Sequence, residues 1–324
     1  MAIRQTEQPE LLNFKRDSMA FTGFDSDGVP LFVGPNEPRA YVDDEGNRLG
    51  ILLESGKTNY LANSLDPVTQ TVVLGAGVYT FSALTDSSVT IETPTQTLTF
   101  DDDPVTFTID TDKTSVTVSP QEGTRAFQIE DGSFVTSIIG TDDNGAQARE
   151  SESISHGREA YFSRNTGTFI GRFSVPVIEE EAVYFYVETD GTDFVVKGTQ
   201  TGLLFKTDQG EIPFQMPEGE DIKFAISYDA TKGYVRCYLN DEVGELDIPF
   251  IKPEKVTFSS FPHPTMMILK EYEYRPRPLG NAEIGRSLGN DYDLQYDFVV
   301  EPLKVSDWAT RIFAASLYGF NKEN

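Results

Sequence analysis

Carboxylates are the commonest side chains in this sequence that could take part in breaking a bond. The chain carries 52 Asp and Glu against 26 Lys and Arg. A glycosidase needs only a pair of them, one acting as acid and the other as base or nucleophile. The densest runs are Asp101-Asp102-Asp103 and Glu179-Glu180-Glu181. Runs of like charge at strand ends are ordinarily solvated loops. The Asp101 to Asp103 run, or Asp142-Asp143-Asn144, could offer hard oxygens to Ca²⁺. Neither has the spaced ligands of a dedicated loop, so no cofactor or resident metal is expected.

Other reactive groups are scarce. No Gly-x-Ser-x-Gly, P-loop, Gly-x-Gly-x-x-Gly or His-Glu-x-x-His is present. The two histidines, His156 and His263, have no ligand-type neighbours in sequence, and His263 sits between prolines. The single cysteine, Cys237, alternates with Val235 and Leu239 and reads as a small core residue. One cysteine also excludes a disulfide framework and a thiolate metal site. The sequence reads as that of a non-enzyme.

Binding is the better-supplied chemistry. Sugar faces stack on aromatic rings while their hydroxyls seek hydrogen bonds. The strand tyrosines Tyr184, Tyr186, Tyr228, Tyr234 and Tyr238 offer such rings. Trp308, the only tryptophan, and Phe313 fall on one face of a segment that Ser306 would cap as a helix. The ligand or interface candidates are therefore Tyr184, Tyr186, Tyr234, Tyr238, Trp308 and Phe313.

The elements that would hold these residues are strands. Gly77–Leu84, Ser88–Glu92, Pro104–Asp110 and Ser115–Ser119 alternate apolar with Thr or Ser, as antiparallel strands do with one wet face. Ala182–Glu188 and Asp193–Lys197 flank Asp190-Gly191, a hairpin signal. Ile222 to Tyr228 and Tyr234 to Leu239 alternate likewise. Around Gly56 a turn is expected, with Glu54, Lys57, Thr58 and Asn59 bonding its own backbone. Residues 1–48 read as an irregular arm with scattered aromatics, 49–145 as one sandwich, 146–159 as a linker, 160–284 as a second sandwich and 285–324 as a strand-helix tail. The fold class is thus all-β, two tandem antiparallel β-sandwiches.

Charge narrows the partners. A net charge of −26 opposes nucleic-acid binding, which needs clustered Lys and Arg. No apolar run is long enough for a membrane helix, and Met1 to Glu7 has no signal-peptide character. The expectation is a protein made and assembled in a bacterial cytoplasm.

Three stretches carry a resemblance. Leu49-Gly50-Ile51-Leu52-Leu53-Glu54 with Lys57-Thr58-Asn59-Tyr60-Leu61 and Ser64 resembles the G-L-L-x-E-x-x-R-T-N-x-L-x-x-S signature of bacteriophage virion proteins. Upstream, Phe14-Lys15-Arg16-Asp17-Ser18, Asp25 to Val29 and Asn36-Glu37-Pro38-Arg39 resemble the family's F-x-R-x-S, D-x-x-G-V and N-x-P-R pieces. Lys57 replaces the family's Arg and lacks its bidentate fork. Phe127-Gln128-Ile129-Glu130 through Thr136-Ser137-Ile138 resembles the F-Q-L-E-x-G-x-x-x-T-S-Y ending of the same module, with Arg149 where that family places an Arg. Ile138 and Gly140 stand where Tyr and Pro are usual. Met266 through Ile284 is similar to the last strand and tail of concanavalin A-like, laminin G-type domains.

The resemblance implies a jelly-roll, carbohydrate-binding-like sandwich followed by a lectin-like one. It implies a virion protein, with other virion proteins as partners, host surface glycan as ligand, and a homo-oligomer, a trimer being common for appendages. A tail-fibre or tail-appendage adhesin is the first reading. A capsid decoration or head-fibre subunit is the alternative. A polysaccharide-degrading enzyme is disfavoured, because parallel β-helix repeats and an acid-base motif are missing.

Overall fold

The computed structural model describes residues 13–42, 48–157, 162, 165–175, 178, 180–215, 221–240, 242–247, 252–258, 266–280, 283, 284 and 287. Within them the chain is almost wholly β, in antiparallel sheets. Among the described residues no helix is long and apolar enough to cross a membrane.

Contacts divide the chain into two compact units. The larger comprises Met1–Lys15, Ala40–Leu53 and Ser153–Asn324; the smaller comprises Arg16–Arg39 and Glu54–Glu152. The chain order therefore differs from a simple tandem, because the smaller unit is contributed between pieces of the larger. The reason lies in strand pairing at long sequence separation. Arg48–Glu54 joins the sheet of Met266–Arg275, and Asn13–Lys15 pairs with Ser153–His156. No local pattern reports such partners.

The larger unit has two seven-stranded sheets. One runs Asn13–Lys15, Ser153–His156, Pro253–Phe258, Val183–Thr189, Phe194–Thr199, Gly202–Thr207, Glu211–Gln215. The other runs Glu242–Asp247, Tyr234–Leu239, Asp221–Asp229, Thr166–Ser174, Met266–Arg275, Arg48–Glu54, Arg39–Val42. Their apolar faces form one core in which Phe169, Phe185, Phe194, Phe205, Phe224 and Phe258 are fully buried. Each such ring contributes on the order of 2 to 3 kcal/mol by burial. Cys237 is buried in this core, and burial pushes its thiol up.

Gly50 is one of the glycines at which elements of this unit approach closely. A Cβ on Gly50 would lie 2.6 Å from the Leu269 carbonyl oxygen, and that backbone cannot step aside. Gly50→Ala is expected to destabilise the larger unit by about 1 to 3 kcal/mol in urea unfolding. A change under about 0.5 kcal/mol would contradict this pairing of backbones.

The smaller unit packs a four-stranded sheet and a three-stranded sheet around Phe81, Ile91, Phe107, Val116, Phe127 and Ile129. Gly77–Leu84 is a strand over the span its sequence suggests. The strand through Phe127 ends at Asp131, because Gly132 takes a left-handed φ of 98° that turns the chain. The stretch read as an arm is structured where described. Ala20–Phe24 and Pro30–Val33 form a hairpin whose Phe21 and Phe24 pack with Ala126, Ile138 and Leu65. The stretch read as a linker likewise contributes Gln147–Arg149, which pairs with Lys57–Asn59, and Ser153–His156.

Candidate functional site

Ser55-Gly56 does separate the strands Arg48–Glu54 and Lys57–Asn59, but the charged motif residues converge on a buried ion network in the smaller unit. Three guanidiniums, Arg16, Arg39 and Arg149, meet two carboxylates, Glu54 and Glu152. All five residues are between 0% and 4% exposed. Arg16 Nη1 donates to Glu152 Oε1 at 2.6 Å, and its other nitrogens donate to the carbonyls of Ser18, Gly34 and Glu37. Arg39 donates to the same Glu152 oxygen at 2.7 Å, and to Glu54 and Ser137. Arg149 Nη1 lies 3.0 Å from Glu54 Oε2. The carboxylates are used up by further donors: Glu152 takes the Glu54 amide at 2.9 Å, and Glu54 takes the Ser137 amide at 2.7 Å.

Electrostatics follow from this geometry. Burial alone would raise the Glu54 carboxyl, but Arg149, Arg39 and the Ser137 donors outweigh it and hold it at about 2. Burial pulls Arg16 down against the opposing pull of Glu152, while Glu54 and Glu152 overcome burial and raise Arg39. Neighbouring Glu130 is pushed up by burial, against the donors of Thr136.

The expectation that Glu54, Lys57 and Asn59 bond the backbone of their own turn is corrected by long-range contacts. Asn59 donates to the carbonyls of Phe127 and Ile139 and accepts from the amides of Leu61 and Ile129, so only one of its four bonds is local. Lys57 Nζ donates to the Asp131 carbonyl at 2.6 Å and sits 4.4 Å from the Phe134 ring centre. With no exposed face and both carboxylates fully bonded, the network has no room for substrate. Its chemistry is cross-linking: it ties residues near 16, 39, 54, 137 and 149–152 into one unit. Glu152 was not singled out by the sequence. Its only signal was its closeness to Arg149.

The aromatic candidates separate cleanly. Alternation places Tyr184 and Tyr186 on one face, but the register shifts between Val183 and Phe185. That irregularity turns Tyr184 into the core, stacked against Phe173 at 5.9 Å between ring centres. Tyr184 is corrected from ligand candidate to core residue. Tyr228 is also fully buried, its hydroxyl 2.8 Å from that of Tyr274. Tyr238 is 4% exposed, roofed by Leu279 and Ile284 where the chain after Arg275 crosses its sheet. It too is a packing residue. Tyr234 remains partly exposed beneath the Arg236 guanidinium, 4.7 Å from the ring centre. Trp308, Phe313 and His263 lie outside the described residues.

Tyr186 is left in a different position. It stands on Val183–Thr189, the fourth of seven strands in its sheet, on the face away from the core. Register aligns it with Thr257 on one side and Val195 on the other, and through them with Ser155 and Lys206. Its hydroxyl donates to Asp193 Oδ2, whose Oδ1 accepts the Thr189 amide at 2.7 Å. Burial, then the Asp193 bond and charge, then Glu188 push this phenol well up, so it stays protonated and donating. The result is a partly exposed ring, held in orientation by Asp193, with Thr257 on one side and Val195 on the other.

The remaining reactive groups are disposed of by their surroundings. His156 is buried, with Nδ1 2.9 Å from the Tyr272 hydroxyl and its ring against Phe162. Burial lowers it to about 4. Asp101 to Asp103 stand exposed. Among the described residues no cluster of His, Cys, Asp or Glu is placed to hold a metal.

No protein-family model matches this sequence, and no curated protein matches it. Solved structures do show likeness to parts of the chain. One is the receptor-binding domain of botulinum neurotoxin mosaic serotype C/D, at 11% identity and TM-score 0.34, over 42% of this chain and 39% of that one. Another is the heptameric SAP-like pentraxin of Limulus polyphemus, at 7% identity and TM-score 0.31, over 71% and 80%. A third is the CBM2 module of the evolved Dit of Lactobacillus casei BL23 phage J-1, at 10% identity and TM-score 0.29, over 40% and 71%. The chain thus spans about two fifths of the length of the first of these.

Proposed function

We propose that this chain is a non-enzymatic bacteriophage virion protein, a tail-fibre or tail-appendage adhesin, that holds host surface polysaccharide against Tyr186. The observation that carries the glycan reading is the fixed, partly exposed Tyr186 ring on the middle strand of a seven-stranded sheet. A ring already locked in orientation loses little entropy when a sugar stacks on it. Thr257, Ser155 and Asp193 lie within reach of the hydroxyls around such a sugar. The virion reading is supported by the motif residues, which fall into one coherent buried network rather than scattering. Other virion proteins and further copies of the chain are its expected partners.

Tyr186→Ala is expected to weaken binding of the purified protein to host cells or to an arrayed host glycan about tenfold or more, with an unchanged unfolding midpoint. Tyr186→Phe keeps the ring and is expected to retain most binding. Equal binding by Tyr186→Ala and the parent protein would overturn the site. Binding to capsids but not to cells would favour a decoration subunit, and release of reducing sugar would favour an enzyme.

A further inference from the structure

We propose that two copies of this chain pair through the edge strand Gln70–Leu74, joining their four-stranded sheets into one continuous antiparallel sheet about a two-fold axis. Gln70–Leu74 closes one end of the four-stranded sheet of the smaller unit. Among the described residues its one strand neighbour is Thr114–Pro120, with Val72 opposite Val116. An edge strand presents a row of unpaired N–H and C=O groups, which proteins ordinarily guard with charge, proline or a covering loop. Each other end strand of the four-, three- and seven-stranded sheets has a charged residue in it or directly beside it, such as Asp101, Asp110, Glu130, Glu211 and Glu242. Gln70–Leu74 has none: the chain is uncharged from Pro67 to Thr85. The strip is also apolar where it is open, with Val73 63%, Val68 54% and Val78 41% exposed. The turn beside it carries Asp112 and Lys113, of opposite sign, and Asp112 already accepts the Ala76 amide at 3.0 Å.

Charge selects a second copy as the occupant. Two chains that each carry −26 repel wherever their charged surfaces meet, so contact is open where charge is missing. A partner of opposite charge would be drawn to the acidic surface instead of to this uncharged strip. An antiparallel edge is also complementary to itself, because a two-fold rotation sets its N–H groups against the C=O groups of its copy. With the axis centred on Val72, Val73 of each copy lies beside Thr71 of the other on the outer face. The same pairing completes the burial of Val72, which is partly buried against the core of the smaller unit.

The test is analytical ultracentrifugation of the full-length chain over concentrations up to about 100 μM. A monomer–dimer equilibrium is expected, and hydrogen exchange across Gln70–Leu74 is expected to slow as the dimer fills. Val73→Lys is expected to weaken dimerisation about tenfold or more, with an unchanged unfolding midpoint in dilute, monomeric protein, because the side chain faces solvent in the single chain. Adding Thr71→Glu to Val73→Lys sets opposite charges across the two-fold axis and is expected to restore much of the pairing. A chain that stays monomeric throughout, including one that binds only a different protein through this strand, would overturn the proposal. So would a dimer or trimer whose affinity ignores Val73→Lys, or an association that leaves exchange at Gln70–Leu74 unchanged.

Discussion

Arg39→Met is expected to cost the smaller unit about 3 to 5 kcal/mol of folding free energy, the range for breaking a buried ion network by removing one partner. The loss comes less from the missing attraction than from what remains. Glu54 and Glu152 each lose a charged donor while staying 0% exposed. Arg149 then faces Glu54 alone, and Arg16 faces Glu152 alone. Urea unfolding followed by a probe in the smaller unit reads the effect directly. The combined change Arg39→Met with Glu54→Gln and Glu152→Gln is expected to cost more than Arg39→Met alone, because it leaves Arg16 and Arg149 buried with no carboxylate partner. A single-variant loss under about 1 kcal/mol would mean that the network is wet and its members already paired with solvent.

Acid is expected to weaken the two units in a fixed order. His156 is held at about 4 in the folded larger unit, against an ordinary 6.5. Between those values the unfolded chain binds the extra proton, so stability present above pH 6.5 is lost as pH falls toward 4. The full loss is up to about 3 kcal/mol. Glu54 is held at about 2 against an ordinary 4.5, so its contribution to the smaller unit is intact above 4.5 and lost as pH falls from there toward 2. That loss is also about 3 kcal/mol. Glu130 acts in the opposite sense, since burial raises it and its neutral form is favoured by folding. The larger unit is therefore expected to lose stability first on acidification. Unfolding curves at stepped pH check this, and His156→Asn is expected to flatten the upper step while Glu54→Gln flattens the lower. A smaller unit that weakens first, or steps unmoved by these changes, would contradict the assignments.

Much of the fold was legible because it rests on period-two alternation. Val105, Phe107 and Ile109 do share the inner face, and Cys237 does sit in the core between Val235 and Leu239. What alternation cannot report is where it slips. One register shift between Val183 and Phe185 separates Tyr184 from Tyr186, although their spacing puts both on one face. Nor can it report covering: Tyr238 points the expected way but lies under Leu279 and Ile284. Long-range pairing was equally hidden. Nothing near Arg48–Glu54 announces that Met266–Arg275 is its neighbour, so an inserted unit looked like the first of two in a row. The motif positions were visible but their role was not. Arg16, Arg39, Glu54 and Arg149 are charged side chains of the kind usually found in water, and only the assembled fold shows them sealed from it.

The two conspicuous residue sets have different roles: the charged motif residues tie the smaller unit together, and the Tyr186 face is the proposed recognition site. Titrating protein labelled at its tyrosines and arginines with a neutral host oligosaccharide, and following the ring and guanidinium resonances by NMR, separates these roles most directly. The account predicts saturable shifts at Tyr186, with Tyr184, Tyr228 and Tyr238 little changed and the Arg16, Arg39 and Arg149 side-chain signals unmoved. Shifts centred on those arginines, with Tyr186 silent, would contradict it.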